Sequence, residues 1–469
     1  MKNLLGVSAF FHDAAVSVIG DNKILFASSS ERFSKIKNDK NLNQTLLSHA
    51  FSLGEVAQSY YYEIPFLKKL RNLYSFQLND IFLNPSKQLD LCLNYTSHHE
   101  SHAALAFYTS PYKSSAVVVI DAIGELETIS IWKAENNNLT KLRSYYYPYS
   151  IGLLYSAFTK RLGFVPNKDE YIVMGMAGYG EPKFVENIFN DFVVNFKNCH
   201  KGIPENYLKS AKKEDIACSI QDVVKTLVLQ VMKEAKELTR EDNLCYGGGV
   251  ALNCNVNSHI FSIFKNIFIN SNPGDAGSSL GCILAHTKQK IKFSPYLGYN
   301  IKDKIDPKTV VKEILKNKVV GIAHGRAEFG PRALGNRSLL ACPFSRGIKN
   351  RVNYIKGREQ FRPLAPVVLE EFADELFYTN GKKYPFMQFT LKAKDKKIIP
   401  GAVHVDGTSR VQTVNRLQNP TLYDILFEYY KITGIPALIN TSLNIKDQPL
   451  LNDEFDKKSF NSKYNLKVF

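Results

Sequence analysis

The sequence predicts an α/β chain of two domains, and three observations carry that reading. Its 469 residues suffice for two or three domains at roughly 150 residues each. Short β-rich runs recur in both halves, separated by segments with apolar residues at helical spacing. Several of these runs end in Gly- or Asp-containing turns, where α/β sheets commonly present functional groups. With 44% hydrophobic and 12% aromatic residues, the chain can fill more than one core. Disorder, a fibrous repeat and a small disulfide scaffold are excluded.

The elements follow in order. LLGVSAF, VSVIG and ILFASSS read as three strands, the first two joined by HDAA and the last two by an Asp-Asn-Lys hairpin turn. Residues 41–52 read as a helix, with an acid-poor aromatic stretch after it. SAVVVID is a buried strand ending at Asp121, and a second strand region follows near 128–147. Residues 219–239 keep helical spacing for about five turns. NLCYG is a strand that runs into GGGVALNCNVN, which reads as the opening of a helix. IKFSPYLGYNIK at 291–302 reads as a connector, so the expected domains are 1–295 and 305–469. The second starts with a helix at 308–317 and the strand KVVGIAHG. No repeat or low-complexity segment interrupts the pattern.

Composition narrows the setting. No run approaches the ~18 to 20 apolar residues needed to cross a bilayer, so no membrane partner is expected. MKNLLGVSAFF has one Lys before a short apolar run, but His12 and Asp13 break it at once, against a signal peptide. Seven cysteines without a C-x-x-C suit free thiols in a reducing cytoplasm. The net charge is +16, and residues 301–469 hold 29 Lys+Arg against 17 Asp+Glu. That excess suits phosphate-rich ligands, nucleic acid or an anionic surface, or equally a solvated lysine-rich face.

Three clusters could carry chemistry. In HHESHAA, His98 and His102 are four apart and share one helix face, so they could share a metal. Asp121 at a strand end and Asp275 in SNPGDAGSSLG offer carboxylates. Two His with carboxylates suit iron better than magnesium, although such a pair also occurs simply as packed side chains. In GGGVALN, Gly247, Gly248, Gly249 and Asn253 follow a strand and could admit a phosphate to backbone N–H groups. A tight turn would need the same glycines. HDAA is a comparable turn, and the two together give the layout of a duplicated actin/hexokinase-like nucleotide cleft. The third cluster is basic. HGRAEFGPRALGNRS carries Arg326, Arg332 and Arg337, IKGREQFRPLAP carries Lys356, Arg358 and Arg362, and DGTSRVQTV carries Arg410. Guanidinium groups pair bidentately with phosphate or carboxylate, so these serve a ligand or structural pairs with Glu328 and Glu359. INTSLN looks like a strand end presenting Asn440 and Ser442.

Together these segments resemble the O-carbamoyltransferase family of nodulation-factor, cephamycin and aminoglycoside carbamoyltransferases. HDAAVSV, SERFSKIK, HHESHAALAFYTSP, GLLYSAFTKRLGF, MGMAGYGEP, GGGVALNCNVN, GRAEFGPRALGNRSLLA, IKGREQFRPLAP, DGTSRVQTV and INTSLN run in the family's order over essentially the whole chain. The resemblance implies a first domain similar to tRNA threonylcarbamoyltransferase, an actin-like ATPase fold with bound iron. It implies a second domain similar to threonylcarbamoyl-adenylate synthase. By that analogy the second makes carbamoyl-adenylate from carbamoyl phosphate and ATP, with Mg2+ accompanying the ATP. The first then passes the carbamoyl group to a hydroxyl of a sugar, glycan or natural product.

Carried over by motif, His98, His102, Asp121 and Asp275 would hold Fe2+ or another divalent metal. Arg332, Lys356, Arg362, Arg410, Asn440 and Ser442 would hold carbamoyl phosphate and nucleotide phosphates, with Lys356 and Arg362 acting catalytically. Bringing two phosphate-bearing substrates together needs several fixed cations, which favours this role over nucleic acid for the arginines. Asp13 is a candidate base for the acceptor hydroxyl, or a turn residue through an Asx hydrogen bond. His12 is open to ligand or backbone. Departures exist. Ile172 stands where many relatives carry Lys, INTSLN has Leu443 in place of an aromatic residue, and the chain ends soon after QPLLN, implying a shortened final part. A tRNA-modifying relative and an inactive nucleotide-binding scaffold are the alternatives.

Overall fold

The computed structural model describes residues 2–74, 83–195, 197–199, 202–464 and 466–469. Part of the aromatic stretch after the first helix, residues 75–82, lies outside the described residues. The chain divides into two compact units: Met1–Ser30 with Asn38–Phe293, and Glu31–Lys37 with Ser294–Phe469.

In the first unit, β1 (Asn3–Ser8), β2 (Ala15–Gly20), β3 (Lys23–Ser29), β4 (Val56–Tyr61) and β5 (Leu93–Tyr95) lie in the order β3-β2-β1-β4-β5. The first three run antiparallel, and β4 and β5 parallel to β1. β6 (Ser114–Ile120), β7 (Glu127–Glu135), β8 (Asn138–Tyr146), β9 (Asn243–Gly247) and β10 (Asn266–Ile269) form a second sheet, ordered β10-β9-β6-β7-β8. Its strand directions repeat those of the first. Counted from its own first strand, each sheet reads 3-2-1-4-5. This is the duplicated actin/hexokinase-like arrangement the turns led us to expect. Sequence dictates the hairpins: Asp21 and Asn22 have φ of 50° and 57°, and Asn136 and Asn137 of 48° and 67°. Two consecutive left-handed residues make the tight turn that matches strand twist, and Asn and Asp tolerate it best.

Between the sheets in sequence runs the helix His98–Tyr108, buried at every position except Glu100. A helix apolar on most sides must be covered on most sides. One covering element is the helix Asp275–Thr287. At Gly281 a Cβ atom would stand 2.0 Å from Ser101 O, so only glycine lets these two backbones approach. The helix of residues 219–239 is longer than its apolar pattern, spanning Lys213–Thr239, because its first turn is polar and carries Glu214 and Asp215. Acidic residues there favour a helix start through the macrodipole and leave no apolar signal. GGGVALN does not open an α-helix. It forms a 3-10 turn, Gly249–Leu252, before the short helix Cys254–His259.

The second unit contains β11 (Tyr296–Ile301), β12 (Val319–Ala323), β13 (Gly325–Glu328), β14 (Arg337–Ala341), β15 (Ala365–Leu369), β16 (Thr390–Lys392), β17 (Thr408–Arg410), β18 (Gln412–Val414) and β19 (Ala437–Ser442). Its main sheet has the order β12-β14-β19-β15-β18. The helices Pro307–Asn317 and Pro420–Thr433 bury Val310, Ile314, Leu422 and Tyr429 against Val320, Leu340, Val367 and Leu438 of that sheet. Residues 291–302 are more than a connector, since β11 pairs antiparallel with β13. After the helix Glu454–Tyr464, residues 467–469 run beside β12, with Phe469 N–H donating to Gly321 O at 3.0 Å and Ala323 N–H to Phe469 O at 2.8 Å. No described helix is long and apolar enough to cross a membrane.

Candidate functional site

In the first unit, four groups converge from three elements. His98 and His102 project from one helix face, Asp121 follows β6, and Asp275 begins the helix that Gly281 allows to pack closely. One ligand atom from each lies within 4.8 Å of the others. His98 Nε2 stands 3.0 Å from Asp121 Oδ2 and 3.1 Å from His102 Nε2, and His102 Nε2 stands 3.4 Å from Asp275 Oδ1. Ligands bound at about 2.0 to 2.2 Å to one cation are about 3.0 to 3.5 Å apart, so the donor set fits a divalent metal.

The electrostatics agree. Burial alone lowers the His102 pKa, but hydrogen bonds to Asp121 and Asp275 outweigh it and raise it to about 9. The same balance raises His98, burial again opposing Asp121 and Asp275. Asp121, which burial would push up, is held well below the usual carboxylate range by both imidazoles. A buried and a partly buried carboxylate against two buried imidazoles call for a cation, and a metal or a proton can serve. The supporting contacts were not legible in the motif. Glu125 accepts from His98 N–H at 2.9 Å, and Ser278 Oγ lies 3.3 Å from His102 Nδ1. His99, between the two ligands, turns away to Ser130 Oγ at 2.8 Å, and burial holds its pKa well below the usual imidazole value.

Asp13 adopts the left-handed region at φ 47°. Its carboxylate pairs with His12 Nδ1 at 2.9 Å and accepts from Asn38 Nδ2 at 2.8 Å. His12 Nε2 reaches Asn167 O at 2.7 Å, so its contact is to backbone. The charge of Asp275 is felt at His12, which places this pair near the metal-ligand cluster. The glycines serve the same cluster. A Cβ on Gly248, at φ 88°, would stand 2.2 Å from Ile120 O. Gly248 N–H donates to Pro273 O at 2.9 Å and Gly249 N–H to Asp121 Oδ1 at 3.2 Å, while Asn253 bonds Gln221. These donors are therefore engaged within the unit. Ile172 is buried, and neighbouring Glu170 holds Ser156 Oγ at 2.7 Å.

In the second unit, Lys356 is buried, and its ammonium donates to Ser442 Oγ at 3.0 Å, Asn444 Oδ1 at 2.7 Å, Asn444 O at 2.9 Å and Ser442 O. Burial first, then Arg358, Arg362 and Lys37, lower its pKa well below the usual lysine value. Arg362 stands 3.5 Å from Glu359, which also pairs with Lys446. Asn440 Nδ2 donates to Gln412 Oε1 at 2.7 Å and Ala333 O at 3.2 Å. Asn440 Oδ1 and Arg410 Nε are buried with no hydrogen-bond partner among the described residues. Arg332 joins this region through its neighbour Ala333. The Glu328 charge acts on Arg32 and Arg337, while its Oε1 accepts from Leu334, Asn336 and Arg337 N–H. Gln412, Asn444 and Glu328 lie inside or beside quoted motifs, but only the fold shows what they hold.

The carbamoyltransferase N-terminus family matches residues 3–65 and 58–284, and the carbamoyltransferase C-terminus family matches 311–469. An uncharacterized protein of Synechocystis sp. is 31% identical over 96% of this chain and 92% of its own length. The nodulation protein NolNO of Sinorhizobium fredii is 30% identical over 96% of this chain and 76% of its own. Among solved structures, component A of the Acidaminococcus fermentans (R)-2-hydroxyglutaryl-CoA dehydratase is 13% identical, covering 61% of this chain and 99% of its own, with a TM-score of 0.40. With both family halves matched in order over one chain, the protein belongs to the carbamoyltransferase family and is a carbamoyltransferase.

Proposed function

We propose that the protein is an ATP-dependent O-carbamoyltransferase working in two steps. The second unit makes carbamoyl-adenylate from carbamoyl phosphate and ATP. The first unit transfers the carbamoyl group to a hydroxyl of a sugar, glycan or other small molecule. The observation that carries this reading is the buried Lys356, whose contacts are all neutral oxygens and whose neighbours are cations. A buried ammonium with cations around it suits an arriving phosphate, and buried Arg410 Nε and Asn440 Oδ1 still have hydrogen bonds to make. Balance requires one water: carbamoyl phosphate yields carbamate and phosphate, and the carbamate oxygen displaces pyrophosphate from the α-phosphorus of Mg2+-bound ATP. Lys356 and Arg362, with Arg332 and Arg410, offset the charge gathered in that displacement.

In the first unit, His98, His102, Asp121 and Asp275 would hold Fe2+ or another divalent metal. Bound there, it supplies Lewis-acid polarisation of the carbamoyl carbonyl. Asp13 takes the acceptor proton, its carboxylate oriented by His12 and Asn38. Seven free thiols suit a cytoplasmic setting.

The test is an anaerobic incubation with ATP, carbamoyl phosphate and Fe2+, followed by detection of carbamoyl-adenylate. Its absence counts against the proposal. Arg362→Ala should abolish adenylate formation by more than 100-fold. His98→Ala should spare it while lowering metal content and stopping transfer. Loss of adenylate in His98→Ala as well would show that the steps are not divided this way.

A further inference from the structure

The strap Glu31–Lys37 comes from the early chain yet packs in the second unit. Arg32 Nη2 donates to Gly330 O at 3.1 Å and, more weakly, to Glu328 O at 3.5 Å. Lys35 donates to Arg32 O at 2.9 Å and pairs with Asp456. Arg32 is only 2% exposed, and its Nη1 is buried with no hydrogen-bond partner among the described residues. The carboxylate of Glu31 stands 3.8 Å from Nε, beyond hydrogen-bond length.

Arg337 provides the comparison within the same unit. It is fully buried, and all three of its nitrogens reach backbone carbonyls, those of Tyr299, His324, Gly325, Asn336 and Asn452. That is how this fold completes a structural guanidinium. Arg32 is left incomplete. A guanidinium does not shed its proton inside a protein, so beside the Glu31 and Glu328 charges that act on the group, Nη1 is a buried donor open to a further acceptor. Its location says which acceptor. The carbonyls holding Nη2 belong to the turn that continues into Pro331 and Arg332, and Lys37 at the far end of the strap adds to the positive potential at Lys356.

We infer that Arg32 is a direct ligand of the anionic donor bound in the second unit, its Nη1 hydrogen-bonding a phosphate-class oxyanion. The oxyanion is the phosphate of carbamoyl phosphate or a phosphate of ATP. This inference rests on reading the second unit as the adenylate-forming site. The strap is then part of that site, and residues 294–469 alone lack one of its ligands.

Titration calorimetry on the full chain tests it, with carbamoyl phosphate and a non-hydrolysable ATP analogue in separate arms. Arg32→Gln should weaken at least one of the two by tenfold or more, and the arm that shifts names the source of the oxyanion. Arg32→Lys should recover part of the loss. The ligand-free Tm of Arg32→Gln separately reads the loss of the Nη2 bonds to Gly330 O and Glu328 O. Unchanged affinities in both arms, with a lowered Tm, would make Arg32 a structural clamp and overturn the inference alone. A parent chain that binds neither ligand overturns the adenylate-site reading and this one with it.

Discussion

Asp406 accepts from Thr408 N–H at 2.9 Å and Thr408 Oγ1 at 2.8 Å, and stands 3.5 Å from His404 Nδ1. These contacts fix the turn before β17, which ends at Arg410. Burial alone would raise the Asp406 pKa, but the hydrogen bonds from His404 and Thr408 lower it to about 2. An unfolded Asp titrates near ~3.9, so between the two values the unfolded chain binds more protons. The contribution is complete above the unfolded value and lost as pH falls through about 2. Asp406→Ala should therefore cost about 1 kcal/mol at pH 7 and nothing below pH ~2, read from denaturant melts across that range. Single arginines were harder to foresee. Arg326, Arg332 and Arg337 share one Gly-rich segment, and residue type says only that each needs acceptors. Arg326 finds Leu297 O at 2.5 Å and Gly298 O at 3.4 Å, and Arg337 its five carbonyls.

Helix contact geometry governs the metal-ligand cluster. Gly281→Ala places a methyl 2.0 Å from Ser101 O, next to His102 in sequence and on the helix that begins at Asp275. The two helices must separate, which should cost about 1 to 3 kcal/mol. It should also weaken metal binding at least tenfold, seen by competition with a chelator. The strands and helices with strong periodicity, β1 to β3, β6, β9 and Pro307–Asn317, were readable from residues alone. β11 was not, because a strand whose partner β13 lies downstream shows no local sign beyond a short mixed run. The three glycines at 247–249 signal a close approach, and the fold shows their backbone against His102 O, Ile120 O and Asp121 Oδ1.

Two cores imply two responses. Bound metal should slow hydrogen exchange in the helix His98–Tyr108 and in β6 and β9. Carbamoyl phosphate should protect β19 and the end of the helix Ile348–Ile355. At a hundred times its Kd, either ligand contributes about 2.7 kcal/mol to the unit that binds it. Protection of both regions by one ligand would show coupling that this division does not require. The charge excess of residues 301–469 also divides, since Arg326 and Arg337 are internal supports and Lys356 is buried. The net charge is thus a poor guide to partners, because burial rather than composition decides which cations face a ligand.

The strap sets a timetable. Arg32 and Gly330 are 298 residues apart, and at ~5 to 20 residues per second a ribosome takes about 15 to 60 s to deliver the second after the first. During that interval β1 to β3 are already synthesised, while the strap that follows β3, with its short helix Glu31–Ser34, has no partner to receive it. A basic, unanchored segment must persist through most of translation, so the second unit can be completed only after an early piece of chain has been kept waiting.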